Sequence, residues 1–304
     1  MNRATHHHHH HATPSYNRAF FFGVVLNLVF IVLEVVYGFL SDSLALLTDA
    51  GHNLSDVMAL LLAWGAATLA RRKPSPRRTY GFSRATIIAS LFSGLLLMGA
   101  VGAIAWEALT RFFEPAAPVG QTIVVIAAIG VVINTATALL FMRGKDEDLN
   151  IRGAFLHMAA DAAVSLGVVV SGLLIWSFGL SWIDPLSSLL IAGVIFASTW
   201  GLLRDSLNLA VDAVPREVDP KAVREFLLSQ DGVVAVHDLH IWAMSTTDNA
   251  LTAHLVMNPR PSDDAFLNEI SEQLIHRYRI HHPTIQIEAE DGGEVCQQAV
   301  GCAH

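Results

Sequence analysis

Two copies of a His-x-x-x-Asp pair, His52 with Asp56 in LLTDAGHNLSDVMALLLAWG and His157 with Asp161 in GAFLHMAADAAVSLGVVVSG, interrupt stretches that are otherwise apolar. Residues four apart share one face of an α-helix, so each pair aims an imidazole nitrogen and a carboxylate oxygen the same way. Two such faces opposed make a two-His, two-Asp tetrahedral set. Imidazole and carboxylate at about 2.0 to 2.2 Å is a common environment for Zn(II) and its borderline neighbours. A charge at the centre of a bilayer costs about 2.5 to 3.5 kcal/mol even on lenient scales, so Asp retained there points to ion or proton traffic rather than to packing. Hydrogen bonding between helices accounts for isolated Ser, Asn or His in such segments, and for matched pairs it is the poorer explanation.

The elements that must position these groups are membrane spans. The chain has 304 residues, 53% of them hydrophobic and 15% charged, which is the balance of an integral membrane protein. Six runs suit a hydrocarbon core of about 30 Å: 19–40, 44–70, 85–106, 121–142, 154–176 and 182–203. The first is too long for a signal-peptide core and is expected to be retained. The segment ahead of it, with six consecutive histidines, reads either as a purification tag or as a native metal-collecting tail.

Basic residues fall on one side. ARRKPSPRRTYGFSR follows the second span, and Arg143, Lys145 and Arg152 lie between the fourth and fifth, whereas the opposite loops SDS, RFFEPAAPVGQ and FGLS carry only Arg111. Positive residues near span ends stay cytoplasmic, so both termini are expected inside. Spans two and five then run in opposite directions with their His/Asp faces opposed. Each is the second of a trio, as in an inverted repeat. Counted at 1.5 Å per residue, His52 and Asp56 lie about 12 to 18 Å inside span two, while His157 and Asp161 lie only a turn or two inside span five. A span five extended at its start by LNIRG removes that mismatch, and the shallower pair predicts a site that cytoplasmic water reaches.

Other polar residues in the spans have competing explanations. Asp49, one turn before His52, is a fifth ligand, a partner orienting the His52 ring, or part of the outward path, the last two being favoured. Asn27 and Glu34 share a face of span one and either line the ion route or pack helices. Asp184, ahead of Pro185, is explained by capping a helix end.

After residue 218 the pattern becomes helix 219–230, strand 233–242, strand 250–257, helix 262–278 and strand 284–290. This α-β-β-α-β order fits a small two-layer α+β domain with an antiparallel sheet. The expected divisions are a tail over 1–18, a transport domain over 19–204, the α+β domain over 205–290 and a tail over 291–304. His237, His240, His254, His276, His281 and His282 gather on the α+β segment, with Glu288 following. Singly each is a surface histidine; several on the strands of one sheet suggest a regulatory metal site, which Cys296 and Cys302 could close as thiolates or accompany as reduced thiols. The net charge of -8 and the absence of any recognition motif argue against nucleic acid as a partner.

These motifs resemble the cation diffusion facilitator family, its bacterial zinc-exporting branch in particular. The resemblance runs from about residue 20 to 290 and rests on SLALLTDAGHNLSDVMAL, RRTYGFSR, HMAADAAVSLGVVVSG, NLAVDAVP, GVVAVHDLHIWAMS and ALTAHLVM. It implies a homodimeric zinc/proton antiporter of the inner membrane with a metallochaperone-like cytoplasmic domain. It makes His52, Asp56, His157 and Asp161 the transport ligands, and places His237, His254, His281 and Glu288 at positions that bind zinc in cytoplasmic domains of the family. RRKPSPRRTYG has no His or Asp where some relatives carry an additional site, and RGKDEDLNIRG lacks the histidine-rich insert of eukaryotic relatives.

The expected activity is export of Zn(II), with Cd(II) or Co(II) equally allowed by ligand type, in exchange for protons by alternating access. Zinc is then substrate and candidate regulatory ligand, and the proton is the counter-ion. Metal needs the neutral imidazole, whose ordinary pKa of about 6.5 lets proton and metal compete for one nitrogen. A membrane metalloenzyme is disfavoured because no His-Glu-x-x-His occurs. The absence of a Gly-x-x-x-x-Gly-Lys-Ser/Thr loop speaks against a nucleotide and a primary pump. A metal-gated channel or membrane metal sensor remains the rival reading.

Overall fold

The computed structural model describes residues 17–114, 116–142, 149–259 and 264–289. The histidine run, Cys296 and Cys302 lie outside the described residues. Eight helices and three strands are described, in the order α1 (Asn17–Leu40), α2 (Leu44–Ala70), α3 (Ala85–Phe113), α4 (Gly120–Phe141), α5 (Leu149–Phe178), α6 (Ile183–Ala210), α7 (Pro220–Leu228), β1 (Val233–Ala243), β2 (Asn249–Met257), α8 (Ala265–Tyr278) and β3 (Ile280–Ala289). Helices α2 to α6 are long and apolar enough to cross a membrane, and α1 adds a shorter apolar stretch over Val25–Leu40 among the described residues. Trp106, Phe113 and Leu40 stand exposed, as side chains facing hydrocarbon do. The chain is a multi-pass membrane protein.

Two compact units make up the chain. The first covers residues 1–57 and 100–195, the second residues 58–99 and 196–304, so α2, α3 and α6 each contribute to both. In the first unit, α4 and α5 approach closely because Gly120 and Gly172 present no side chain at the contact. A Cβ on Gly120 would come within 2.5 Å of the Trp176 amide nitrogen, and one on Gly172 within 3.0 Å of the Val124 nitrogen. Gly130 does the same against the Phe30 ring of α1 and the Ser165 hydroxyl of α5. Such close approach of small residues is how helices associate where lipid removes the hydrophobic driving force.

Asp184 caps a helix, but not its own. Its carboxylate accepts from the Ser43 hydroxyl at 2.6 Å, the Leu44 amide at 2.7 Å and the Ala45 amide at 3.3 Å. It therefore satisfies the otherwise orphaned first amides of α2 and ties that helix end to α6. Arg111 of α3 holds the turn before α2 by donating to the Asp42 carbonyl at 2.8 Å, and Asp42 adopts the left-handed conformation there with φ of 51°.

In the second unit α7 and α8 cover one face of a sheet of order β1-β2-β3. Its core is built from Val223, Phe226, Leu227, Ile270 and Leu274 on the helices against Val236, Ile241, Leu251 and Leu255 on the strands. Asp219 starts α7 by accepting from the Lys221 amide at 2.9 Å, with Pro220 in the first turn. The expectation of an antiparallel sheet holds only for β1 and β2. Strand β3 runs parallel to β2, because α8 returns the chain to the same end of the sheet before β3 begins. Pro283 sits inside β3, which an edge strand tolerates; a strand started after that proline begins four residues late.

Candidate metal centre

Helix α5 starts at Leu149, five residues before the start expected from hydropathy at 154. His157 is then eight residues past the first residue of α5, as His52 is past Leu44 in α2, and each Asp is twelve past. The two pairs therefore sit at equal depth from their own helix starts, and the mismatch in the sequence count disappears. Their contacts run in an antiparallel register, His52 with Asp161 and Asp56 with His157.

His52, Asp56 and Asp161 converge, and His157 adjoins both aspartates. His52 Nε2 lies 3.6 Å from Asp56 Oδ2 and 3.6 Å from Asp161 Oδ1, and His157 Nε2 lies 3.3 Å from Asp56 Oδ2 and 3.7 Å from Asp161 Oδ2. These separations exceed the about 2.7 to 3.2 Å of good hydrogen bonds. Each imidazole–carboxylate separation is near the edge, about 3.3 to 3.6 Å, of a tetrahedron whose corners stand about 2.0 to 2.2 Å from a central zinc, but the group whose ligand atoms all lie close enough to share an ion is His52, Asp56 and Asp161, with His157 at its rim. Asp56 Oδ2 and Asp161 Oδ2 are buried without a hydrogen-bond partner. Buried acceptors of this kind are costly unless a cation or donor arrives. The set is not closed on all sides: the His52 and His157 rings stand edge to face at 6.4 Å, and His157 is the most exposed of the four at 45% against 3% for Asp161.

Among the second-rank candidates, Asp49 makes no hydrogen bond to the His52 ring. His52 Nδ1 is buried and unpartnered, while Asp49 Oδ2 accepts from the Ser165 hydroxyl at 3.1 Å. Glu34 Oε2 accepts from the Asn53 amide at 3.2 Å, one turn past Asp49 on α2. Glu34, Asp49 and Asn53 are buried, whereas Asn27 is half-buried with an unpartnered Oδ1. Ser165 and Asn53 were not singled out in the sequence, although Ser165 follows Asp161 by four and so shares its face.

On the sheet, His237, His254 and Glu288 form the second group able to share an ion. Glu288 Oε2 lies 3.0 Å from His237 Nε2 and Oε1 lies 2.9 Å from His254 Nδ1. His281 does not join them; its ring lies 3.7 Å from Asp248. The reason is strand geometry, since His281 and Glu288 are seven residues apart on β3, an odd step that reverses the face and spans about 23 Å. Asp238, also missed, extends the cluster: its Oδ1 is 3.0 Å from His240 Nε2 and its Oδ2 3.6 Å from His254 Nε2. A bulge between His237 and His240, with Asp238 at φ of 50°, inserts one residue opposite β2. It sends Val236, Leu239 and Ile241 to the core while His237 and His240 stay off it. The signal was present in VHDLHIW as a break in the period-two alternation.

The cation efflux transmembrane domain matches residues 20–209, and the cation efflux cytoplasmic domain matches residues 215–290. The chain belongs to the cation diffusion facilitator family. Within it, the chain is 35% identical over 277 residues to the "Cadmium, cobalt and zinc/H(+)-K(+) antiporter" of Bacillus subtilis, covering 88% of this chain and 89% of that one. It is 36% identical to the zinc transporter ZitB of Yersinia pestis, covering 87% of this chain and 85% of that protein. It is 35% identical to the metal cation efflux protein CzcD of Cupriavidus metallidurans, with 90% and 86% covered. These relatives place this cation diffusion facilitator in the zinc-transporting branch.

Proposed function

We propose that this protein exports Zn(II), and by ligand type Cd(II) or Co(II), from the cytoplasm in exchange for protons, with His52, Asp56, His157 and Asp161 as the transport ligands. The observation that supports the reading is the meeting of the two His/Asp faces, each imidazole nitrogen lying 3.3 to 3.7 Å from an oxygen of both aspartates while Asp56 Oδ2 and Asp161 Oδ2 are buried without a partner. The names of the relatives support zinc, cadmium and cobalt as substrates and protons as counter-ion.

Metal coordination requires neutral imidazole and ionised carboxylate, so loading zinc at the tetrad releases protons, and protons arriving from the other side compete the metal off. Alternating access moves the tetrad between the two aqueous phases. The orientation follows from the basic loops: both termini, the α+β domain and the exposed His157 end of the site face the cytoplasm, and the membrane is the bacterial inner membrane. The protein works as a homodimer through the cytoplasmic domain, in which His237, His254 and Glu288 bind regulatory zinc. The border between transport and cytoplasmic domains then falls after α6 ends at Ala210 rather than at 204.

The test is zinc uptake into proteoliposomes with a pH dye inside. Wild type moves protons against zinc in fixed ratio, and Asp56→Ala and Asp161→Ala lose both fluxes while still forming dimers. Zinc movement without counterflow would instead make the protein a metal-gated channel, and normal flux in either variant would remove the tetrad from the mechanism.

A further inference from the structure

The most costly unexplained feature of the first unit is a pair of carboxylic side chains one turn from the tetrad. Glu34 of α1 and Asp49 of α2 are both fully buried. Each has one oxygen satisfied, Glu34 Oε2 by the Asn53 amide at 3.2 Å and Asp49 Oδ2 by the Ser165 hydroxyl at 3.1 Å. The two oxygens left over, Glu34 Oε1 and Asp49 Oδ1, have no donor, and Asn53 Oδ1 beside them has none either. Asn53 follows Asp49 by four on α2, so the bond from its amide sets the Glu34 carboxyl group on the same face of α2 as that of Asp49. Ionised carboxylates only accept hydrogen bonds, so two of them side by side and away from water repel unless a proton or a positive charge stands close by.

The pair also continues the register of the tetrad. Asp49 with Ser165 follows His52 with Asp161 and Asp56 with His157 along the antiparallel helices α2 and α5. It therefore lies on the side of the tetrad away from His157. Its donor set is oxygen alone, unlike the mixed nitrogen and oxygen of the tetrad, and oxygen ligands select protons and hard cations over zinc. The other ionisable groups acting on it are Asp161 of α5 and His52 of α2.

We infer that Glu34 and Asp49 form a separate proton-binding site that serves the exchange, one proton being held on this buried pair when the tetrad is empty. When zinc occupies the tetrad one turn away, its two positive charges take over the compensation of this pocket. The shared O–H proton leaves to water and both carboxylates ionise. Asn53 and Ser165 hold the two carboxyl groups in position. This inference rests on the proposed zinc/proton exchange and assigns part of the proton count to residues that do not touch the metal.

The test is infrared difference spectroscopy of the full-length protein in nanodiscs at neutral pH, with and without zinc. The metal-free protein is expected to show the carbonyl stretch of a protonated carboxylic acid, shifted in heavy water and lost on adding zinc. The band is absent from Glu34→Gln and from Asp49→Asn, each of which still binds zinc and so is folded. In a pH-dye titration Glu34→Gln releases about one proton fewer per zinc bound than wild type. A spectrum without that band, a band that survives in Glu34→Gln, or equal proton release would overturn the inference. So would a requirement for sodium or potassium, tested by replacing both with choline, because the pocket would then hold a metal cation. Equal release in wild type and variant removes this site alone, whereas absence of any zinc-driven counterflow in wild type removes the exchange itself.

Discussion

The membrane tetrad and the cluster on the cytoplasmic sheet use the same side-chain types and are built in opposite ways. In the tetrad each imidazole nitrogen stands 3.3 to 3.7 Å from the aspartate oxygens, two of which are buried without any partner. On the sheet, Glu288 is closed onto His237 and His254 at 3.0 and 2.9 Å, and Asp238 links His254 to His240. A metal entering the tetrad replaces nothing, whereas a metal entering the sheet cluster must first open hydrogen bonds. Under the proposed function, the difference suits a site that loads and unloads in every cycle against one that responds to sustained zinc.

The comparison breaks most sharply at Asp161. Asp161→Ala removes a ligand that is almost fully buried, and zinc affinity at the tetrad should fall by more than the about 10- to 100-fold that loss of a supporting partner costs, with binding at the sheet unchanged in calorimetry. Next in size is Asp184→Ala, which strands the Ser43 hydroxyl and the first amides of α2. About 2 kcal/mol of stability should be lost, read as a lower unfolding midpoint in detergent, together with weaker tetrad binding because α2 carries half its ligands. Gly130→Val drives a side chain into Phe30 and Ser165, for a cost of about 1 to 2 kcal/mol in the same assay. Smallest is Asp238→Asn. It should weaken zinc at the sheet about tenfold by loosening His254 and leave transport by the tetrad intact; a loss of flux would mean the two sites are not separable.

That the two His/Asp faces meet was readable in the sequence because their periodicity is local: four-residue spacing in an apolar run fixes the face of each helix. So were the six helices, since hydropathy needs no partner information. What escaped depended on distant residues or on backbone irregularity. Asp184 reads as a cap for its own helix, and only the fold brings it to the first turn of α2. Asp238 is hidden by a bulge that shifts the strand phase, and His281 looks like a ligand until β3 places it on the other face from Glu288. The parallel pairing of β3 follows from α8 as a crossover, which the order of elements allowed but did not require. Glu34 and Asn53 lie nineteen residues apart on separate helices, so the bond that sets Glu34 beside α2 could not be counted from spacing.

X-ray absorption at the zinc edge tests the open tetrad most directly. In full-length protein carrying His237→Ala and Glu288→Ala, so that the sheet cluster is disabled, one bound zinc should show four nitrogen and oxygen neighbours at about 2.0 to 2.2 Å, two of them with the outer-shell pattern of imidazole. The same sample with Asp161→Ala added should lose that signature. A zinc bound through sulfur, a six-coordinate oxygen shell, or a spectrum unchanged by Asp161→Ala would contradict the assignment of the tetrad as the metal centre.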